Sequence, residues 1–585
     1  MTRTHTCNQL RKDHVGSTVT LCGWVNSRRD HGGVIFVDLR DRYGITQIVF
    51  NPDCPDFSDA EHLRREDVLE VTGKVLARGE GLVNPNLETG EIEVEVTQLT
   101  ILSKAQTPPI EVDDRKVVSD DLRLKYRFLD LRRPIMQRNL LARHKAMQAV
   151  HKELDSQGFL YVETPLLVKS TPEGARDYVV PSRVNPGKFY ALPQSPQLYK
   201  QILMASGCDR YYQFAKCLRD EDLRSDRQPE HTQIDLEMSF PTLEQLYEVG
   251  ETIMKAIFKE IKQVELPTPF PRISFAEAME KYGTDKPDTR FEMFLHDVTD
   301  IVRNSDFTVF RSVVENGGIV KCINPPKNIG RKELDELIKF SQQAGAKGMA
   351  WMRATPEGFE GNIAKFFSQD ILAQIKEKTG AQPDTVLLFI ADTKHTTHLV
   401  LDKLRREIGK RQGLIDEDKL NFVWVTDFPF FEWNEDEEKW EAGHNPFSML
   451  TEETIQYLED DPGKVYCKQF DLVLNGVEIA SGSIRNTNPE LQTRVLRAIG
   501  ISEEETQEKF GFLLEAFKYG VPPHGGMGIG FDRIVALALG LDDIREVIAF
   551  PKNKSAQCPM DGSPSQISKE QLKELFIDLK LPRSQ

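Results

Sequence analysis

Two short segments, far apart in the chain, contain residue types that could bind a nucleotide. Arg219 and Glu221 lie in the run 217–221, and Arg533 ends the run 528–533, which begins Gly-Ile-Gly. An arginine beside a carboxylate can hold a phosphate through two parallel N–H bonds, and glycines let the backbone pass close to a purine. Either pattern alone is weak, because most Arg-x-Glu triplets are surface ion pairs. Together they predict one nucleotide site that takes an arginine from each segment.

The elements that must position these segments begin with a strand-rich region. Alternating apolar and polar residues predict five strands, at 19–25, 34–39, 45–50, 68–76 and 92–101, with a short helix at 59–65. This order is typical of an oligonucleotide-binding β-barrel. Ile35, Val37 and Leu39 take the core face of the second strand, so Phe36 points outward, where an aromatic ring can stack on a base. A surface aromatic without a partner is the commoner alternative.

Composition restricts the class of protein further. The 585 residues exceed what one hydrophobic core can hold, so we expect three or four domains. The net charge of −16 argues against a protein that coats nucleic acid non-specifically, because such binding needs clustered lysine and arginine. The eight cysteines form no Cys-x-x-Cys pair, and no run of about 18 apolar residues occurs. We therefore expect a soluble cytoplasmic protein without a zinc site or a disulfide framework.

A long amphipathic helix is predicted before the first nucleotide segment. Pro134 suits its first turn, Gly158 suits its end, and a strand is predicted at 159–165. The apolar stripe of this helix needs a partner, and a helix and strand of this kind at a sheet edge predict a homodimer. The stripe consists of Met136, Leu140, Met147, Val150 and Leu154.

The basic residues at 123–133 lie between the strand-rich region and this helix. They are interpreted as a hinge that faces RNA or, alternatively, as a solvated charge run.

Three segments resemble, in order, motifs 1, 2 and 3 of the class II aminoacyl-tRNA synthetases. They are the helix and strand ending at Pro165, the Arg219–Glu221 pair and the run 528–533. Four further runs resemble those of the bacterial-type aspartyl-tRNA synthetases, at 170–178, 192–200, 227–230 and 233–237. The resemblance covers essentially the whole chain.

This resemblance implies a multidomain fold. An N-terminal β-barrel (OB-fold) would precede an α+β catalytic domain built on an antiparallel sheet, with an inserted α+β domain. The expected boundaries are an anticodon-binding barrel at 1–105, a hinge at 106–133, catalytic segments with motifs 1 and 2 at 134–286 and motif 3 at 414–552, the inserted domain at 287–413 and a C-terminal extension at 553–585. One amphipathic helix is predicted in that extension, near 569–580.

The resemblance also implies how ATP is held. Arg219 would bind the α-phosphate and the amino-acid carboxylate, Arg533 would bind the γ-phosphate, and these two are the expected catalytic residues. Asp471 and Glu478 match an acidic pair that binds Mg²⁺, although solvated surface acids are the alternative for such a pair. The other expected ATP contacts are Glu221, Gln228, His231, Glu478, Gly530, Phe531 and Asp532.

L-Aspartate is the amino acid that the resemblance implies. Lys200 and Arg485 would meet its side-chain carboxylate with two positive charges. Asparaginyl enzymes tend to carry an acidic residue at the Lys200 position, which makes this lysine the best discriminator between the two. A plain surface lysine is the alternative interpretation. The remaining expected aspartate contacts are Glu173, Ser195, Gln197, Arg219, Asp235 and His444.

The barrel is expected to read the anticodon of tRNA(Asp). His31 and Gly81 resemble the residues of aspartyl enzymes that also charge tRNA(Asn), whereas strictly specific bacterial relatives often carry leucine at the His31 position. The alternative is that His31 merely starts a Gly32-Gly33 hairpin. The full set of expected anticodon contacts is Arg28, His31, Phe36, Gln47, Arg78, Gly81 and Glu93.

The predicted function is therefore an aspartate–tRNA ligase that forms aspartyl-adenylate and transfers it to the 3′ end of tRNA. One alternative is an enzyme that charges tRNA(Asp) only. Another is an inactive RNA-binding paralogue, which the presence of Arg219, Glu478 and Arg533 disfavours. An asparagine synthetase relative would lack the barrel and insertion. Leu218, His231 and Asn445 depart from the family pattern, and His231 in place of phenylalanine predicts modestly weaker ATP binding.

Overall fold

A computed structural model of the protein describes residues 3–171, 175–221, 227–435 and 437–581. These residues divide into two compact units. The first contains 3–145, 227–228 and 539–569, and the second contains the remainder. Among the described residues we find no helix with the length and apolar character that a membrane crossing needs.

The first unit begins with a closed five-stranded barrel in the order β1-β2-β3-β5-β4, which confirms the prediction of a barrel. Ile35, Val37 and Leu39 are fully buried, because residues two apart on a strand share a face. The elements are β1 (Thr18–His31), β2 (Val34–Arg40), β3 (Ile45–Phe50), α1 (Phe57–Ala60), β4 (Val68–Ala77) and β5 (Ile92–Ser103).

Two boundaries in the barrel differ from the prediction. Strand β1 runs on to His31 instead of ending near residue 25, because its polar second half pairs with β2 beyond a bulge between Val25 and Ser27. Alternation of apolar residues cannot reveal a strand half that lies outside the core. Helix α1 is shorter than predicted and ends at Ala60.

Four of the five basic residues at 123–133 are half-buried or buried and pair with carboxylates, whereas Lys125 is exposed, so neither a solvated charge run nor a hinge open to RNA describes them all. Asp130 is fully buried and receives hydrogen bonds from Arg123, Arg127 and Arg133. Arg127 is itself buried and also donates to backbone carbonyls of residues 545, 548 and 549. The helices here are α2 (Asp120–Lys125), α3 (Arg127–Asp130) and α4 (Pro134–Ser156).

Helix α4 begins at Pro134 as predicted, and Gly158, just beyond its end, has φ +78°. Part of the apolar stripe of α4 is buried within the single chain, since Met136, Val150 and Leu154 are fully buried. The strand that follows, β6 (Leu160–Tyr161), is shorter than the predicted 159–165.

An eight-stranded sheet forms the centre of the second unit, in the order β11-β17-β20-β21-β22-β10-β9-β6. It is antiparallel except at its two outer pairs, β11–β17 and β6–β9. Its first part and the neighbouring elements are β7 (Val179–Pro181), β8 (Phe189–Ala191), α5 (Gln197–Ala205), β9 (Arg210–Leu218), β10 (Glu230–Ser239), α6 (Leu243–Lys262), β11 (Arg272–Ser274) and α7 (Phe275–Tyr282).

A second, five-stranded antiparallel sheet lies in the predicted insertion, in the order β12-β13-β16-β14-β15. Two buried apolar clusters pack against its strands. Its elements are β12 (His296–Asp297), α8 (Thr299–Val302), α9 (Thr308–Glu315), β13 (Ile319–Ile323), α10 (Arg331–Gln343), β14 (Ala350–Thr355), β15 (Gly358–Glu360), α11 (Gln369–Thr379), β16 (Val386–Asp392) and α12 (Lys394–Arg411).

The chain then returns to the eight-stranded sheet. The elements are β17 (Phe422–Pro429), β18 (Phe431–Asn434), β19 (Lys439–Ala442), β20 (Tyr466–Leu474), β21 (Val477–Ile484), α13 (Pro489–Ala498), α14 (Glu503–Phe517), β22 (His524–Gly530), α15 (Phe531–Leu539) and α16 (Lys569–Glu574). Helix α16 is shorter than predicted, and Phe576, Leu579 and Leu581 beyond it are exposed.

Candidate active site

The eight-stranded sheet brings the two nucleotide segments together. Strand β10 pairs with β9 on one side and with β22 on the other. Arg219 directly follows β9, and Arg533 lies in the first turn of α15, which directly follows β22. His231 on β10 lies within reach of both charges. Its pKa is lowered to about 4, first by burial and then by Arg219 and Arg533, so the imidazole is neutral near pH 7.

Four buried charges form a network on this sheet. The Lys200 Nζ lies 2.7 Å from Asp235 Oδ1 and 3.3 Å from Glu237 Oε2. Arg485 donates from Nε and Nη2 to the two oxygens of Glu237, at 2.9 and 3.1 Å. All four side chains are buried, and their charges balance. Lys200 and Arg485 therefore do not face the site as two unpaired cations, because Glu237 pairs with both.

Burial and pairing act in opposite directions on the two carboxyls of this network. Burial raises the pKa of Asp235, and Lys200 offsets only part of that effect. Burial also raises the pKa of Glu237, but Arg485 and Lys200 outweigh it and leave that pKa below its ordinary value. Glu237 is thus the firmly ionised partner of both cations.

The glycines of β22 make room for this network. A Cβ on Gly526 would lie 2.1 Å from the carbonyl oxygen of Leu236 and 2.2 Å from Glu237 Oε2. A Cβ on Gly528 would lie 2.5 Å from Gln233 Nε2. These glycines are needed for close side-chain approach across the sheet. Gly528 and Gly530 both belong to the strand, so the Gly-Ile-Gly run is extended and does not form a turn.

Several buried polar atoms at this site have no hydrogen-bond partner within the described chain. They include Asp235 Oδ2, Gln197 Nε2 and both carboxylate oxygens of Asp471. Buried polar groups are nearly always satisfied in native proteins, so unsatisfied ones call for a ligand, an ion or water. Three predicted site residues therefore present unused polar atoms.

Asp471 and Glu478 lie on the adjacent strands β20 and β21, which Asn475 and Gly476 join in a tight turn. Burial and the neighbouring Glu478 raise the pKa of Asp471 well above its ordinary value. Glu478 lies 3.0 Å from the Lys286 Nζ, and this cation outweighs burial to lower the pKa of Glu478. Arg533 donates to the backbone carbonyl of Glu478 at 2.6 Å. The unsatisfied oxygens of Asp471 beside a second carboxylate fit a Mg²⁺ ion, which prefers oxygen ligands.

Two family models match the chain. The model described as tRNA synthetases class II (D, K and N) matches residues 119–554, and the OB-fold nucleic acid binding domain matches 19–102. An aspartate--tRNA(Asp/Asn) ligase of Caldanaerobacter subterraneus subsp. tengcongensis is 52% identical, with 99% of this chain and 98% of the relative covered. An aspartate--tRNA ligase of Bacillus licheniformis is 50% identical, with 99% of each chain covered. The chain belongs to the aspartate–tRNA ligase family of class II aminoacyl-tRNA synthetases.

Solved structures share the fold of this synthetase at low sequence identity. Asparaginyl-tRNA synthetase from Pyrococcus horikoshii, complexed with asparaginyl-adenylate, gives a TM-score of 0.59 at 20% identity and covers 94% of this chain and 98% of that one. Aspartyl-tRNA synthetase from Entamoeba histolytica gives 0.56 at 19% identity, with 93% and 90% covered.

Some expected ATP contacts of the synthetase use their side chains elsewhere. Phe531 is fully buried and packs edge-to-face on Phe214, which leaves only its backbone for a ligand. The Asp532 carboxylate accepts a hydrogen bond from the backbone N–H of Thr232 at 2.7 Å, so it ties α15 to β10. These two side chains hold the site together from within the core.

Gln228 belongs to the first unit of the synthetase, where its amide group exchanges two hydrogen bonds with the backbone of Lys552. Glu221 is the last described residue before a gap. Gly530 ends β22, and a Cβ there would lie 3.6 Å from the Cβ of Arg533 and 3.8 Å from the carbonyl oxygen of Ile479, both ordinary contacts. Glu173 lies outside the described residues.

The remaining expected aspartate contacts lie in the second unit. Ser195 accepts a hydrogen bond from the backbone N–H of Gln197 and lines a cleft of about 210 Å³. His444 packs edge-to-face on Phe428, and burial lowers its pKa. Of the departures from the family pattern, Leu218 ends β9, and Asn445 accepts a hydrogen bond from the backbone N–H of Phe447.

The barrel brings three of the seven expected anticodon residues, Gln47, Arg78 and Glu93, into one polar cluster. Gln47 donates to Glu93 at 2.8 Å and accepts from Arg29, which also pairs with Asp38. Arg78 donates to the carbonyl of Ile92, and its Nη2 is buried without a partner in the described chain.

The hairpin between β1 and β2 carries two more anticodon candidates. His31 ends β1 and packs on the half-buried Phe36, with ring centroids 6.1 Å apart. Gly32 and Gly33, both at positive φ, make the turn. His31 therefore begins a hairpin, which is the geometry described by the alternative to a role in anticodon recognition. Arg28 is exposed on β1, and Gly81 has φ +84°, a conformation that favours glycine.

Sequence reasoning missed several residues of these two sites. Glu237 lies two positions after Asp235 on one strand, so alternation places both on the same face and could have found it. Lys286 and, in the barrel, Asp38 carried no comparable signal.

Proposed function

We propose that the protein activates L-aspartate with ATP and transfers it to the 3′ end of tRNA(Asp) and of tRNA(Asn). The observation that carries the proposal is the buried network of Lys200, Asp235, Glu237 and Arg485, which leaves unused polar atoms at one site. A buried, charge-balanced network that still lacks partners is suited to a small ligand that carries both charges.

Aspartate complements the unused atoms. Its ammonium group would donate to Asp235 Oδ2, which has no partner in the described chain. Its side-chain carboxylate would accept from Lys200 and from Arg485, whose Nη1 donates one N–H to Ser483 and keeps a second. Gln197 Nε2 adds a further unused donor. An asparagine amide would bring its own N–H groups against these donors, and such a mismatch costs several kcal/mol.

ATP would bind across the end of the sheet. Arg219 would hold the α-phosphate and Arg533 the γ-phosphate, while the neutral His231, whose pKa both arginines lower, would offer its ring to the adenine. Asp471 and Glu478 would hold Mg²⁺, which when bound neutralises charge on the phosphates. Lys286 pairs with Glu478 and is a further cation at this edge of the site.

The reaction then needs no covalent enzyme intermediate. The α-carboxylate of aspartate attacks the α-phosphorus of ATP, and pyrophosphate leaves. A terminal ribose hydroxyl of the tRNA attacks the carbonyl of aspartyl-adenylate, loses its proton, and AMP leaves. The residues contribute through position and charge, because phosphoryl chemistry depends mainly on both.

The range of tRNAs would be set in the barrel. The two anticodons differ in their last base, cytosine or uracil, which present a donor or an acceptor at the same edge. A neutral imidazole can supply either partner, so His31 would accept both bases. The polar cluster of Gln47, Glu93 and Arg78 lies on the same barrel.

A homodimer and a cytoplasmic location complete the proposal. Leu160 and Tyr161 on the edge strand β6 are 58% and 40% exposed. These side chains would form the shared surface, because an apolar group of this size at a sheet edge favours a second copy.

The deciding experiment is pyrophosphate exchange into ATP, measured with each amino acid and with Mg²⁺ varied. Exchange with aspartate alone, abolished in Arg219→Ala and Arg533→Ala, is expected. Equal exchange with asparagine would refute the assignment of the amino acid. Charging of purified tRNA(Asp) and tRNA(Asn) side by side tests the range of tRNAs, and a preference above about a hundredfold, near the upper end of single-base discrimination, would refute the dual specificity.

A further inference from the structure

The inserted domain reaches the acidic hairpin of the active site with the side chain of Arg406, and Asp288 also lies beside the turn. Arg406 lies on α12, which packs against the five-stranded sheet of the insertion. Its Nη1 donates to the carbonyl of Gly476 at 3.1 Å, and its Nη2 donates to the carbonyl of Lys286 at 2.7 Å. One guanidinium thus joins the turn between Asp471 and Glu478 to the backbone of the lysine that pairs with Glu478.

The contact is built from both sides. Asp402, one helical turn before Arg406, accepts from its Nε at 2.8 Å and fixes the guanidinium on the helix. Gly476 has φ +83°, and a Cβ there would lie 2.7 Å from Arg406 Nη1. The glycine therefore serves both the turn and the close approach of the arginine.

The rest of the turn is held by the segment that leads from the insertion into β17. Asn475 accepts from the backbone N–H of Asn421 at 2.9 Å and donates to the carbonyl of Lys419 at 2.8 Å. Arg406 is consequently the side chain of the insertion that donates a hydrogen bond to the backbone of the turn. The backbone of residues 419 and 421 holds Asn475, the other residue of the turn.

We propose that Arg406 is a positioning residue for the metal-binding hairpin, and that the insertion acts on amino-acid activation through it. The inference rests on the proposed Mg²⁺ role of Asp471 and Glu478. By clamping Gly476 and the Lys286 backbone together, Arg406 sets the distance of Glu478 from Asp471 and from the lysine that neutralises it. Groups that orient metal ligands from outside typically change metal affinity 10–100-fold when removed.

The test compares Arg406→Gln with Arg411→Gln in the full-length protein. Arg411 lies on the same helix, but its ion pairs go to Glu336 and Glu407 inside the insertion. For Arg406→Gln we expect the Mg²⁺ concentration that half-saturates pyrophosphate exchange to rise roughly 10–100-fold, while the KM for aspartate stays unchanged. Arg411→Gln should match the wild type. Arg406→Lys keeps the positive charge but cannot donate hydrogen bonds in three fixed directions. Its half-saturating Mg²⁺ concentration should therefore lie between those of Arg406→Gln and Arg411→Gln.

A second measurement does not depend on turnover. Mn²⁺ accepts the same oxygen ligands as Mg²⁺, and its binding in the presence of ATP can be followed by electron paramagnetic resonance. Arg406→Gln should weaken Mn²⁺ binding by the same factor, and amide exchange at 474–477 should become faster.

The outcomes separate the inference from the proposed function. If Arg406→Gln lowers kcat or thermal stability but leaves both metal titrations on the wild-type curve, the arginine is only a structural link and the inference is overturned. Glu478→Gln should weaken both titrations more strongly. If Glu478→Gln leaves them unchanged, the Mg²⁺ assignment itself fails.

Discussion

Replacing Lys200 with glutamine tests how the synthetase distinguishes aspartate from asparagine. Lys200 lies between Asp235 and Glu237 in a buried, charge-balanced network. Lys200→Gln would leave two carboxylates against Arg485 alone, a net charge of −1 in a site that must admit another carboxylate. Removing one member of a buried ion pair costs about 3–5 kcal/mol. At 1.4 kcal/mol per factor of ten, this corresponds to roughly a 150–4,000-fold loss in kcat/KM for aspartate.

Asparagine should respond differently, because its amide carries no charge for the altered network to repel. We expect its low rate to fall about tenfold or less, so the ratio of the two kcat/KM values should shift toward asparagine by at least about tenfold. The assay is pyrophosphate exchange with each amino acid at saturating ATP. Lys259→Gln, which removes an exposed lysine of α6, is the matched control.

An equal fall for both amino acids would refute this reasoning. It would mean that Lys200 supports the fold or the ATP site and does not read the substrate side chain. The KM for ATP and the thermal transition of each variant, measured in parallel, would identify which of these two roles it has.

Three further predictions concern other parts of the molecule. Tyr161→Glu should convert a dimer into single chains in sedimentation experiments and reduce exchange, because it places a charge on the exposed edge strand β6; a wild-type protein that sediments as one chain would contradict the dimer. His31→Leu should raise the preference for tRNA(Asp) over tRNA(Asn) about 5–100-fold, about 1–3 kcal/mol, without changing exchange; an unchanged preference would remove His31 from anticodon recognition. His398 is buried with its pKa lowered to about 4, so the unfolded chain takes up its proton first as the pH falls through about 6.5. The resulting loss of stability, about 2 kcal/mol by pH 5, should shrink in His398→Gln when the thermal transition is compared at pH 7.5 and 5; an identical shift in both proteins would show that His398 is not responsible.

The tRNA synthetase family was predictable because each of its motifs is local in sequence. The alternation of Ile35, Val37 and Leu39 predicted a barrel strand, and Pro134 and Gly158 marked the ends of a long helix. The polar half of β1 could not be predicted in this way, because a hairpin that lies outside the core has no regular spacing of apolar residues.

The sequence by itself determined which chemical groups are available: two arginines far apart, an acidic pair on a hairpin, and a lysine and arginine suited to a carboxylate. Only the tertiary structure decided which groups are partners. Glu237 neutralises Lys200 and Arg485 together, and Arg406 reaches from the insertion to the Asp471–Glu478 hairpin. The reason is physical, because Coulomb attraction and hydrogen bonding depend on distances of a few ångströms and on burial. Those quantities exist only once β10, β21 and β22 lie side by side.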